Sequence, residues 1–192
     1  KTTLTKEGKY DSLGRATEYT ETTYNNNKIN SQYTDKYTYL TNAKDSTRKF
    51  EREGFNSTGS YTQIGQMEGK DGYSRNAIRT NTQKDGTISY ETYVDLSLDM
   101  SNNYVGLSTP EIKTDSLEKA KEYEQQLLNL KDIYHELCSD ECSEATKEKY
   151  KSELINVIKD ENTDIKVRQA AVFVADYSLS GNNKEIMDEI IN

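Results

Sequence analysis

From Ile88 to Met100 the side chains alternate without a break. Ile88, Tyr90, Thr92, Val94, Leu96, Leu98 and Met100 fall on one side, and Ser89, Glu91, Tyr93, Asp95, Ser97 and Asp99 on the other. A sustained two-residue period marks a strand with one buried face. It predicts a strand over Thr87–Met100, with its apolar side turned towards the helices that follow. Five shorter and more polar segments precede it: Arg15–Tyr24, Gln32–Leu40, Thr47–Phe55, Ser60–Met67 and Arg75–Thr82. Between and around them lie Asp11-Ser-Leu-Gly14, Tyr24-Asn-Asn-Asn-Lys28, Asn42-Ala-Lys-Asp45, Asn56-Ser-Thr-Gly59, Gly69-Lys-Asp-Gly72 and Lys84-Asp-Gly86. These residues tolerate positive φ or cap turns through their own side chains. The pattern predicts an antiparallel meander of about six strands.

Beyond Pro110, the sole proline, the period lengthens to that of a helix. Asp115, with Glu118 three residues on, reads as an N-cap. Ala120, Tyr123, Leu127, Leu130, Tyr134 and Leu137 then form one stripe of a long helix. A second helix is predicted from Ser143 to Asp160, with Tyr150, Leu154, Val157 and Ile158 inward, and a third from Asp164 to Tyr177, with Val167, Ala170, Ala171 and Val174 inward. A short fourth runs from Lys184 to Ile191. The expected fold class is therefore α+β: a Tyr/Thr-rich sheet over residues 1–106, a linker at 107–114, and an acidic three- or four-helix unit over 115–192.

Composition sharpens this division. Leu, Ile, Val and Phe together number only 34 of 192 residues, and just 8 of them precede residue 86. The front of the chain must then be a largely solvated sheet, or one that leans on a partner, with tyrosine, 15 in the whole chain, supplying amphipathic surface. Residues 1–100 carry 14 basic and 14 acidic side chains, whereas residues 101–192 carry 11 and 19. An acidic helical half and a neutral sheet without a Lys/Arg cluster argue against nucleic acid as a partner. No apolar run is long enough to span a bilayer. The start at Lys1 reads as a mature or excised end, and the Lys/Asn/Tyr/Ile bias as bacterial.

Two short stretches resemble known repeats. Tyr10-Asp-Ser-Leu-Gly-Arg15-Ala-Thr17 resembles the YD repeat of Rhs-type bacterial surface and toxin-shell proteins, with the resemblance extending over residues 10–24 and a faint second copy at Phe55-Asn-Ser-Thr-Gly59. It implies a tight Asp/Gly turn continuing into a strand. Residues 151–191 resemble one HEAT-type helical repeat, through Leu154-Ile-Asn-Val-Ile158 and Asp164-Ile-Lys-Val-Arg168-Gln-Ala-Ala171. That resemblance implies helix packing and a scaffold role, with no chemistry of its own.

Candidate chemistry is sparse. With His135 as the single histidine, any Ser-His or Cys-His nucleophile system would have to use it, and no nucleophile elbow, phosphate loop or cofactor-binding motif is present. Cys138 and Cys142 flank a turn and, in an exported protein, would form a disulfide. His135 beside them has loose spacing for zinc, so neither metal nor cofactor is expected. Tyr33, Tyr37 and Tyr39 share a strand face; ordinary cross-strand packing is the first reading of them, and a candidate aromatic binding surface, with Tyr19, the second. The expected function is a non-enzymatic protein-interaction or surface module of a bacterial exported protein, extracellular, surface-bound or periplasmic, binding through a polar aromatic sheet face or edge. A fragment of a larger assembly (an Rhs-like shell or a secretion-associated effector or scaffold) is the first alternative. A carbohydrate-binding or carbohydrate-active protein, with a glycan as partner, is the second.

Overall fold

The computed structural model describes residues 1–41, 47–68, 74–96 and 112–179. Eight strands form a single antiparallel meander in sequence order: β1 (Thr2–Tyr10), β2 (Ala16–Asn25), β3 (Lys28–Tyr39), β4 (Arg48–Phe55), β5 (Gly59–Glu68), β6 (Ser74–Gln83), β7 (Ile88–Val94) and β8 (Ile112–Thr114). Three helices follow: α1 (Leu117–Leu137), α2 (Glu144–Lys159) and α3 (Ile165–Ser178). The α+β class and the meander are as the residue pattern predicts. The strand count is eight rather than about six.

The two additional strands are those that the pattern hides. β1, Thr-Thr-Leu-Thr-Lys-Glu-Gly-Lys-Tyr, has no apolar alternation because all nine of its residues are exposed. β8 is three residues long and comes from the end of the segment read as a linker. β7 stops at Val94, short of the expected Met100, although Leu96 beyond it is still buried. Residues 97–100, the turns at Asn42–Asp45 and Gly69–Gly72, and the helix expected at Lys184–Ile191 lie outside the described residues.

Turn chemistry sets the register. Asp11 Oδ1 accepts from the backbone N–H groups of Leu13 and Arg15 (2.9 Å each), while Gly14 takes φ +74°. Those amide donors, Arg15 first, hold the Asp11 carboxyl below the usual carboxylate range. Asn26 and Asn27 close β2–β3 as a two-residue loop with φ +48° and +63°, a twist that matches the right-handed twist of the strands. Gly86, at φ +87° after Asp85, closes β6–β7, where Gln83 N–H donates to Thr87 O at 2.9 Å.

The chain divides into two compact units, residues 1–93 with 111–121, and residues 94–110 with 122–192. In the first, Phe50, Met67 and Ala77 form a small buried cluster with Tyr37 and Tyr93 packed against it. Phe50 is 1 % exposed. On the other face of the sheet, Thr92 is buried and its Oγ1 donates to Ala120 O at 2.8 Å, which ties the first turn of α1 to β7.

In the second unit, the expected α1 stripe is buried at Leu127, Leu130, Tyr134 and Leu137, with Tyr123 half-buried. The α3 stripe is buried as expected at Val167, Ala170, Ala171 and Val174. Phe173 bridges Tyr134 edge-on at 6.0 Å and Tyr177 at 4.5 Å. The α2 face is rotated from expectation. Leu154 and Ile158 are buried, but Lys151 and Ile155 join them, while Tyr150 and Val157 are only half-buried. A helix packs an arc wider than one stripe, and the long stem of Lys151 adds apolar surface to that arc.

Caps fit short polar side chains. Ser143 Oγ accepts from Thr146 N–H, and Asp164 Oδ1 from Lys166 N–H at 2.8 Å. For α1 the cap is Ser116 rather than the expected Asp115, since Ser116 Oγ accepts from Lys119 N–H. Both residue types cap well, and the strand running to Thr114 decides which of them stands at the helix start.

Phe50→Ala is expected to lower stability by about 3–5 kcal/mol, since it empties the fully buried aromatic position of a small cluster. Urea unfolding followed by far-ultraviolet dichroism will show a lower midpoint at unchanged slope; a shift under about 1 kcal/mol would mean the cluster is peripheral to the sheet.

Candidate functional site

Register places a row of polar and aromatic side chains across one face of the sheet. Tyr19 lies opposite Asp35, Asp35 opposite Arg52, Arg52 opposite Gln63, and Gln63 opposite Arg79. Paired residues in antiparallel strands point to the same side, so these five form one line from β2 to β6. The neighbouring rows on that face contain Tyr33 with Gly54 and Tyr61, and Tyr37 with Phe50, Gly65 and Ala77.

Asp35 is 1 % exposed, and Arg52 grips it with both arms, Nε to Oδ1 at 2.5 Å and Nη2 to Oδ2 at 2.8 Å. Tyr37 donates its hydroxyl to the same Oδ2 at 2.9 Å. Guanidinium groups also lie over the rings: Arg52 on Tyr33 at 4.1 Å, Arg15 on Tyr39 at 4.1 Å, and Arg48 on Tyr37 and Tyr39 at 5.8 and 5.9 Å. Each such contact is worth roughly 0.5–2 kcal/mol, depending on desolvation.

The expected binding tyrosines are therefore brought together. Tyr19 and Tyr33 have ring centroids 6.3 Å apart, and Tyr33, Tyr37 and Tyr39 share a face of β3. Three of the four hydroxyls are engaged within the sheet, as Tyr19 donates to Glu21, Tyr37 to Asp35 and Tyr39 to the carbonyl of Ala16. Burial, aided by the Glu21 charge, pushes the Tyr33 hydroxyl up to about 12, and burial beside Asp35 pushes Tyr37 up as well.

The same face opens at its far end. A cleft of about 580 Å³ lies over the ends of β5 to β8 and is lined by Asn56, Tyr61, Arg79, Asn81, Glu91 and Lys113 among others. Tyr61 stands opposite Gly54, where an added Cβ would meet its ring carbon at 2.5 Å, so the glycine makes room for the ring. Arg79 covers that ring at 3.8 Å. Glu91 and Lys113, paired in register between β7 and β8, are joined at 3.2 Å. The Arg79 Nε is buried and has no hydrogen-bond partner among the described residues.

None of these cleft residues stands out in the sequence. The strands that carry them show weak alternation, and Arg79 and Gln63 come together only through pairing. The one available signal is local: Tyr61 and Gln63 fall on one face of β5, and Arg79 and Asn81 on one face of β6.

Cys138 and Cys142 are half-buried and unbonded in this structure. Burial, with Cys142 beside it, raises the Cys138 thiol. His135 is exposed on α1. Among the described residues, no three His, Cys, Asp or Glu side chains are grouped to hold a metal ion.

Raised tyrosines have a defined consequence at alkaline pH. An unfolded tyrosine loses its proton near pH 10, whereas folded Tyr33 keeps its proton to about pH 12. Stability is therefore complete below pH 10 and falls as pH rises from 10 towards 12, the unfolded chain ionising first. Tyr33 and Tyr37 should ionise only with unfolding, as a late step in tyrosinate absorbance. Absence of that late step in the folded protein would contradict their burial. Comparison of the chain with protein-family models, with curated proteins and with solved structures returns no match.

Proposed function

We propose that the chain is a non-enzymatic interaction module of a bacterial exported or surface-associated protein, and that its partner is a protein that docks by adding a strand to β1. The observation carrying this reading is the exposure of all nine residues of β1 at the end of the strand order. A strand in that position has alternate N–H and C=O groups directed away from the sheet, and strand addition satisfies them. Edge strands are commonly guarded by charge. Here Lys6 and Lys9 stand directly opposite Glu21 and Glu18 of β2 and pair with them at 3.4 and 2.7 Å. Their charge is thereby compensated within the sheet, and Thr2–Thr5 carries none.

The aromatic face is the weaker docking surface because the hydroxyls of Tyr19, Tyr37 and Tyr39 and a face of the Tyr33 ring already have partners. The same open edge would serve the alternative reading, a piece of a larger shell or scaffold in which the added strand belongs to a neighbouring chain.

Hydrogen exchange of Thr2–Tyr10 should slow when the protein is mixed with a bacterial envelope extract. Thr3→Pro and Leu4→Pro form a matched pair, since adjacent residues direct their N–H groups to opposite sides, so one of them removes an outward donor without touching the β1–β2 ladder. That variant is expected to lose the protection while keeping the sheet's dichroism. Unchanged exchange in the extract would defeat strand addition.

Export would also place Cys138 and Cys142 in oxidising surroundings, where we expect them to bridge the turn between α1 and α2. The enclosed loop is short, so the stabilisation is small. Mass spectrometry of secreted protein, alkylated before and after reduction, should find no free thiol in the native sample; two free thiols would rule the bridge out.

A further inference from the structure

The row from Asp35 to Arg79 holds two guanidinium groups and one carboxylate. Arg52 takes both oxygens of Asp35. Arg79, at the other end, faces Gln63 instead, and Gln63 gives its amide to the Tyr93 hydroxyl. Glu91, the carboxylate lining the cleft beside Arg79, is engaged by Lys113. A half-buried guanidinium thus remains at the wall of the cleft, its Nε sealed from solvent and unbonded, so that a ligand would meet its two-nitrogen Nη end. An unmet charged donor is costly to bury, and a guanidinium's planar fork matches a carboxylate.

We propose that the cleft binds a carboxylated saccharide, a hexuronate unit whose carboxylate is gripped by Arg79. The cleft volume of about 580 Å³ lies in the range of small-ligand sites. Its lining argues for a sugar over an acidic peptide. Asn81 and Ser89 present a carboxamide and a hydroxyl that suit ring hydroxyls, and Asn56, whose Oδ1 is taken by Thr58 and Gly59, keeps its amide donor. No aliphatic side chain lines it, so it has no pocket for the apolar residues that anchor most peptides. Gly54 leaves room for the Tyr61 ring, and Tyr61 in turn supports the Arg79 guanidinium, so the grip is placed by backbone register. The site uses β5 to β8 and is independent of the β1 edge, so either proposal can fail without the other.

Isothermal titration with a galacturonate trimer, the neutral galactose trimer and a glutamate tripeptide separates the outcomes. The galacturonate trimer is expected to bind saturably, and Arg79→Gln to weaken it roughly ten- to hundred-fold, as loss of a charged bidentate contact requires. Arg79→Lys keeps the charge without the fork and should fall between. Glu91→Gln removes a competing negative charge and should tighten binding. Dichroism confirms that each variant is folded, and should Arg79→Gln fail to fold, the Lys and Glu91 variants carry the test. Equal binding of the neutral trimer, equal Arg79-dependent binding of the tripeptide, no binding of any probe, or unchanged or weaker binding by Glu91→Gln would each overturn the assignment.

Discussion

A sheet assembled from so few aliphatic residues must bury polar groups, and burying them requires that they satisfy one another. The Asp35–Arg52 pair is where the first unit meets this requirement. Asp35 sits at the centre of the face with almost no solvent contact, and both oxygens are taken by one guanidinium and one tyrosine hydroxyl. Removing either charge would strand the other in a desolvated place, which costs more than the pair itself contributes. Next to it, Phe50, Met67 and Ala77 supply the small apolar cluster, and the long side chains around them provide cover.

This arrangement explains the use of tyrosine and arginine in place of leucine and valine. A ring stacked under a guanidinium shields apolar area while leaving polar tips for hydrogen bonds. Over β2 to β4 the lattice pairs its buried carboxylate with a guanidinium. Over β5 to β8 it is incomplete, because Gln63 occupies the position where an acid would neutralise Arg79. The difference between the two ends of one row separates structure from candidate function on this face.

The helical unit follows ordinary packing logic. Small residues on α3, Ala170, Ala171 and Ala175, are buried with Leu154 and Ile158 of α2, and short polar caps start α2 and α3. Asp164 and Arg168, which carry the HEAT-like resemblance, act here within the helix start: Asp164 caps α3, and Arg168 N–H donates to its carbonyl.

Six strands, three helices and most helix boundaries were legible in the residues alone. Period and turn chemistry are local properties, and Asn26-Asn27, Asp85-Gly86 and Ser143 act within a few residues of where they stand. β1 and β8 were hidden because neither has a buried face of its own; they are strands only by virtue of their neighbours' ladders. The tyrosines of β3 could be placed on one side by parity. The arginines above them and the unbonded Nε of Arg79 could not, because a charge's partner is chosen across strands. The sequence determined which residues extend, turn and coil, since those choices are made by backbone and nearest neighbours. Only the tertiary register decided which charges are paired and that Arg79 faces a cleft, because pairing depends on residues up to dozens of positions apart lying opposite one another.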